Sequence, residues 1–474
     1  VRLYPVLLAT ALLFGCSTLP DVHPWTEPGS GNRSPTLVGA RGPLREAAAQ
    51  AALARLQDKG GGTDLLERHL AIEEAVAGTP LTVGNAALLL QDGPASYKAM
   101  FSAIERARDH VNIEFYMIEP GEAGQHLADV LLRKRPQGVA VNLIYDAVGS
   151  IDTPPEYFDR LREAGVNVLE FNPLNPLKTR NGWRINNRDH SKLVIVDGTT
   201  AFTGGINISD VYSSGSSPGP SGSRRGGSGR SALSGGGSGK RSRAVGWRDV
   251  NVRLEGPAVA ELQRIFLATW AAQAGTPLPQ RNWFPSIKPQ GGGHPVRVVS
   301  SGPEDAAPAI YIALVSAIEH AEKTIHITMA YFVPDAQTIE ALKNAAARGV
   351  DVTLVLPSYT DFWAVFHAGR SHYSELLESG VKIYERQAVL LHSKTAVIDG
   401  VWSTVGSSNM DLRSFLHNKE LNVVILGWDF GQQMDAMFAA DLKESARIEP
   451  QAWAQRPLES RMKEWAARAW AYWL

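Results

Sequence analysis

The tetrapeptide Ser102-Ala103-Ile104-Glu105 returns unchanged as Ser316-Ala317-Ile318-Glu319, and the pattern around it returns as well. In the first copy, "SYKAMFSAIERARDH", "GQHLADVLLRKRPQG" and "PEYFDRLREAG" have helical periodicity. They alternate with the extended apolar segments "VNIEFYMI", "VAVNLIYDAVG" and "VNVLEFNP". In the second copy, "AIYIALVSAIEHAEK", "TIHITMAYFV", "AQTIEALKNAAARG", "VDVTLVLP", "YSELLESG" and "VKIYER" follow in the same order. A repeat this long is a duplicated domain, and its βα alternation predicts an α/β fold with a largely parallel or mixed sheet covered by helices. The 474 residues suffice for two such cores.

Each copy ends its alternation on the same phrase. "RDHSKLVIVDG" carries His190, Lys192 and Asp197, and "LLHSKTAVIDG" carries His392, Lys394 and Asp399. Residues two apart on a strand share a face, so His and Lys should project together, with Ser191 or Ser393 opposite. Asp197 and Asp399 follow their histidines by an odd step and are expected to anchor the turn. "DGTT" and "DGVW" are hairpin signals. A two-residue loop pairs His190 with Asn207 and His392 with Asn409, each 17 residues on. Gly204, Gly205 and Gly406 permit close backbone approach beside the Asn. His, Lys and Asn together offer a nucleophile or acid, a fixed cation and an amide donor, which suits a phosphate ester.

An imidazole used this way needs its second nitrogen held by an acceptor. "NKELNVVILG" offers Glu420 and the matching "WRDVNVRLEG" offers Asp249. The His-to-acid spacing is longer in the first copy by about the length of a basic Ser/Gly-rich run, Ser213 to Val245, which therefore reads as a disordered insertion. The other histidines show no HExxH or CxxC spacing, so neither a metal nor a cofactor is expected. Lys plus Arg (47) nearly balances Asp plus Glu (48), which argues against a nucleic acid partner.

These paired motifs resemble the phospholipase D superfamily over roughly residues 84 to 445. "GSSNMDLRSFLHNKE", "RINNRDHSKLVIVDG", "AFTGGINISD" and "LIYDAVGS" are most similar to bacterial cardiolipin synthases. The resemblance implies two phospholipase D-like domains around a pseudo-twofold axis, with one active site at their interface. It also implies phosphatidyl transfer between phospholipids through a phosphohistidine. His190 is then the nucleophile and His392 the acid and base. Lys192, Lys394, Asn207 and Asn409 stabilise phosphoryl charge, and Asp249 and Glu420 orient the imidazoles. Phosphatidylglycerol is the expected substrate, with phosphatidylethanolamine as a further candidate. Hydrolysis of phospholipid is the alternative, and a nuclease the more distant one.

The lone cysteine excludes an internal disulfide. Its context, an apolar run from Tyr4 followed by Leu13-Phe14-Gly15-Cys16, resembles the lipobox of bacterial lipoproteins. An acylated Cys16 would tether the chain to the cell envelope, facing the periplasm; an ordinary signal peptide or a buried helix is the alternative. The expected organisation is a leader (1–16), a tether with helices (17–83), a first domain (84–272), a linker (273–295), a second domain (296–446) and a Trp-rich C-terminal helix (447–474). In that helix, Leu458, Met462, Trp465, Ala469 and Tyr472 can share one face, suiting either a lipid surface or packing on the core.

Overall fold

A computed structural model describes residues 19–26, 35–59, 64–179, 184–215, 246–287 and 293–469. Cys16, the expected leader and most of the Ser/Gly run lie outside the described residues. Val-, Ile- and Leu-rich segments buried on both faces build one continuous sheet.

In the first half the strands are β1 (Leu81–Gln91), β2 (His110–Phe115), β3 (Ala140–Asp146), β4 (Asn167–Phe171), β5 (Lys192–Val196), β6 (Thr200–Gly204) and β7 (Val250–Glu255). The second half supplies β8 (His294–Ser301), β9 (Thr324–Met329), β10 (Asp351–Pro357), β11 (Lys382–Arg386), β12 (Lys394–Ile398), β13 (Trp402–Gly406) and β14 (Asn418–Leu426). Across the sheet the order is β4-β3-β2-β5-β6-β7-β1-β8-β14-β13-β12-β9-β10-β11. That order is palindromic about the β1–β8 pair, so the pseudo-twofold axis passes between those strands. The outer triplets are parallel, and the remaining pairs are antiparallel. The motif strands β5 and β12 are interior and wholly buried, as their two-sided apolarity predicts.

The axis strands β1 and β8 were not among the segments that the alternation predicts. "LTVGNAALLLQ" mixes polar and apolar residues without a clean period, and it is shaped by pairing on both edges. Residues 65–77, within the stretch read as a tether with helices, form a helix that joins the core. The helix Leu65–Ala77 buries Leu65, Leu66 and Leu70 in the core of the second half, and His69 Nδ1 lies 3.0 Å from Ser316 Oγ in the repeated tetrapeptide. Its Glu73 forms a fully buried ion pair with Arg297 of β8 at 3.2 Å.

The hairpin register differs from expectation by one residue. Val196 pairs with Thr200 and Ile398 with Trp402, because the Asp-Gly turns, closed by the Thr199 and Val401 N–H groups on Val196 and Ile398, are each followed by one extra residue. Asp197 and Gly198 have φ of 53° and 63°, Asp399 and Gly400 of 51° and 66°, and the strand resumes one residue later than a two-residue loop allows. Asn207 and Asn409 therefore lie beyond their strands.

Candidate active site

Each His-Ser-Lys step lies where the chain passes from one half of the molecule to the other. Arg188 and Asp189 pair in parallel with Asn418 and Lys419 at the start of β14, and the His190 N–H donates to the Lys419 carbonyl at 2.8 Å. After His190 and Ser191 the chain enters its own sheet as β5. The second half repeats this: Leu391 bridges Arg248 in parallel, and the His392 N–H donates to the Arg248 carbonyl at 2.8 Å. The histidines thus precede the strands instead of riding on them, each fixed against the opposite half.

That crossing decides which carboxylate holds which imidazole. His190 Nδ1 lies 3.0 Å from both carboxylate oxygens of Glu420, and His392 Nδ1 lies 2.7 Å from Asp249 Oδ2. Both carboxylates that the repeat offers do hold an imidazole, but each holds the histidine of the opposite half. A carboxylate on Nδ1 fixes the ring tautomer and leaves Nε2 for chemistry.

Four cationic or basic groups share this buried centre. Burial pushes His190 down to about 4, with Lys192 and Lys394 acting the same way against Glu420. Burial and the neighbouring lysine also lower His392. Burial brings Lys192 down to about 7 and Lys394 down to about 8. Burial would raise Glu420, but His190, Lys192 and the Ser407 hydroxyl bring it down to about 2. The resting site therefore pairs a neutral His190 with an anionic Glu420, and its lysines are poised to be fully charged once an anion enters.

Both Lys Nζ groups donate to the carbonyl of their own motif histidine. Lys192 also stands 5.3 Å above the Tyr116 ring, whose edge approaches His190 at 5.1 Å between centroids. The Asn207 side-chain oxygen accepts the Met117 N–H at 3.1 Å, while the Asn409 Oδ1 is buried without a protein partner. The third motif residues, Asp197 and Asp399, stand apart from this centre. Asp197 accepts the N–H groups of Arg108, Asp109 and His110, and Asp399 those of Glu322, Lys323 and Thr324. They tie the hairpin turn to the start of the neighbouring strand. They position the strand and stand away from the histidines and lysines, although the shared His-x-Lys-x4-Asp motif groups them with those catalytic candidates.

Several contributors were not predicted. Tyr212 places its hydroxyl 3.2 Å from His392 Nδ1, and Trp247 packs over that ring at 5.2 Å. The Ser407 hydroxyl donates to Glu420 at 2.5 Å. Beneath the site, Lys419 Nζ reaches Glu114 and Ser191, and Arg248 makes a two-pronged pair with Asp441 at 2.9 and 3.0 Å. The available signal was the pair of adjacent basic-acidic steps, Arg248-Asp249 and Lys419-Glu420. Among the described residues, no group of three or more His, Cys, Asp or Glu side chains is arranged to hold a metal ion.

Residues 100–214 and 314–442 match the family described as "Cardiolipin synthase, PLD-like domain". A cardiolipin synthase of Geobacillus sp. (strain WCH70) is 34% identical over 400 residues, covering 84% of this chain and 74% of the relative. One from Alkalihalophilus pseudofirmus is 33% identical over 416 residues, covering 87% and 76%. The crystal structure of phosphatidylserine synthase from Haemophilus influenzae superposes with a TM-score of 0.61 at 12% identity, over 85% of this chain and 99% of that one, and shows the same fold. On its two matched regions and its identity to these relatives, the chain belongs to the cardiolipin synthase, phospholipase D-like family.

Proposed function

We propose that the protein is a phosphatidyltransferase that joins two phosphatidylglycerol molecules into cardiolipin, releasing glycerol. The observation that carries this reading is the exchanged pairing at the centre: two His-Lys sets, one from each half, each held by a carboxylate of the other. Neither half alone contains a complete acid, base and nucleophile set.

His190 attacks the donor phosphorus through Nε2 while its Nδ1–H donates to Glu420. The P–O bond to the headgroup glycerol breaks, and His392, which enters the step as the imidazolium with its Nδ1–H on Asp249, gives that oxygen its Nε2 proton. A phosphatidyl group is then bonded to His190. His392, now neutral, takes the proton from a hydroxyl of the acceptor lipid, whose oxygen attacks phosphorus and releases His190. Lys192, Lys394, Asn207 and Asn409 stabilise the phosphoryl oxygens as charge builds. The low resting basicity of His190 favours the nucleophile role. The short 2.7 Å contact of His392 with Asp249 suits a ring that must carry a proton.

Water competes with the acceptor alcohol for the intermediate. Burial of both histidines and both lysines restricts water, and a lipid held in the cleft gains the proximity advantage. Acylation of Cys16 would hold the protein at the periplasmic face of a membrane, where such lipids are concentrated. The test is incubation of the purified protein with phosphatidylglycerol bilayers, with and without phosphatidylethanolamine, followed by mass analysis of the lipids. Cardiolipin and glycerol are expected as main products. If phosphatidic acid dominates across bilayer compositions, the enzyme is a phospholipid hydrolase instead.

A further inference from the structure

The C-terminal helix Leu458–Arg468 is docked with its apolar face outward. Leu458, Met462 and Trp465, at helical spacing, are 70%, 62% and 78% exposed. The helix is held instead by its other side. Ala467 packs with Val333, Val365 and Ala368, and the buried Glu464 pairs with Arg456 at 2.8 Å. A soluble helix normally presents the reverse arrangement, so this face is built to meet something apolar.

Its neighbours lead to the active site. Helix Leu458–Arg468 packs on helix Trp363–Arg370, whose first residue Trp363 is exposed beside exposed Phe362. The adjacent Asp361 accepts the Tyr331 hydroxyl at 2.7 Å, and the Tyr331 ring stands edge-on to His392. The first half repeats this path. Tyr116 is edge-on to His190, the Tyr116 carbonyl accepts the Ser150 hydroxyl, and Ile151 follows, 62% exposed. Ile151 and the 49% exposed Phe362 each stand five residues past the end of the equivalent strands β3 and β10. Apolar tips thus flank the cleft on both sides of the pseudo-twofold axis.

We infer that this mouth face is a lipid-docking surface: Leu458, Met462, Trp465, Phe362, Trp363 and Ile151 enter the headgroup–acyl boundary of a membrane and set the cleft against its substrate. The exposed Arg461 and Arg468 on the same helix supply positive charge that an anionic lipid surface attracts, while Lys463 is paired with Glu459, and Trp is suited to the boundary itself. This reading rests on the phospholipid substrate proposed above.

The chain's single cysteine makes a local test possible. In full-length protein carrying Cys16→Ser, Met462→Cys is labelled with a polarity-sensitive fluorophore, and Glu67→Cys, at an exposed position of helix Leu65–Ala77, serves as reference. Mixed phosphatidylglycerol–phosphatidylethanolamine vesicles should shift the emission at 462 to the blue and leave 67 unchanged. Protein that pellets with vesicles while 462 stays unchanged overturns the inference. So does a blue shift that grows with protein concentration alone, which marks a second copy, or one already present in dilute protein, which marks a segment of the same chain. A Leu458→Ser, Met462→Ser, Trp465→Ser variant should lose about tenfold or more of its transfer on vesicles, with transfer on detergent-dispersed phosphatidylglycerol kept. Equal loss on both substrates overturns the docking role, whereas absence of transfer by the parent protein on both, with docking intact, overturns the substrate reading alone.

Discussion

The two half-sites share a plan and differ in how the carboxylate reaches its histidine. Glu420 has the longer side chain, spreads both oxygens toward His190, and is steadied by the Ser407 hydroxyl and, at 3.1 Å, by the Asn418 amide. Asp249 is shorter and comes in over Gly205, the counterpart of Ser407, where a β-carbon would overlap its carboxylate. It takes the Val250 N–H at 2.7 Å and meets His392 with a single oxygen. The surroundings differ too: His392 is walled by Trp247, Tyr212 and Tyr331, whereas His190 meets Tyr116. A duplicated scaffold thus holds two histidines in unlike surroundings, as the proposed division into one that attacks and one that carries a proton requires.

The largest effect should separate those two roles. His190→Ala and His392→Ala should each lower turnover by roughly 10⁴-fold or more, since neither half can substitute for the other. With a phosphatidyl donor bearing a good leaving group, His392→Ala should still accumulate a covalent phosphatidyl-enzyme, detected by mass, and His190→Ala should not. The opposite pattern would exchange the assignments, and substantial turnover in either variant would break the shared-site reading.

A smaller effect, on the order of 10²-fold, is expected for the carboxylates, and it probes the exchange between halves. Glu420→Gln should slow formation of the His190 intermediate, and Asp249→Asn should slow steps that need the His392 proton. Rapid-quench kinetics separate the two. The backing residues sharpen the contrast: Gly205→Ser should behave like loss of Asp249, whereas Ser407→Gly should cost only a few-fold.

The lysines predict a pH profile. Lys192 and Lys394 are depressed to about 7 and about 8, so raising the pH through that range removes positive charge from the free enzyme. kcat/KM should fall there, with kcat moved less, because a bound phosphodiester favours the charged lysines. On the acid side, protonation of His190 near 4 should remove the nucleophile. A rate independent of pH from 6 to 9 would contradict a phosphate-binding role for the lysines.

The smallest effect belongs to the feature that most visibly distinguishes the halves. Gly215 and Gly246, which flank the Ser/Gly run, lie against one another, so a short Gly/Ser bridge can replace residues 216–245. Shortening such a loop changes closure entropy by only about 1 kcal/mol. The melting temperature and transfer rate should stay close to those of the parent. A protein that no longer folds would show the run to be structural.

Much of this molecule follows from local pattern. The duplication, the βα alternation, the buried motif strands and the residues His190, Lys192, His392, Lys394, Asp249 and Glu420 were all readable in the sequence, because hydrophobic periodicity and a repeated spacing are properties of neighbouring residues. The register of the hairpins departs by one residue because Thr199 and Val401 stand as extra residues between the Asp-Gly turn and the returning strand, which no local pattern marks.

What the sequence could not decide is which carboxylate serves which histidine. The repeat places each acid in the same copy as a His, and only the parallel pairing of residues 188–189 with β14, and of Leu391 with Arg248, carries each acid across the axis. The same holds for the C-terminal helix, whose apolar face was evident but whose outward direction depends on the Arg456–Glu464 pair and the packing of Ala467. Local propensity determines the elements and the reactive groups. Long-range strand pairing and packing, which join His190 to Glu420 across 230 positions and His392 to Asp249 across 143, determine which of those groups meet.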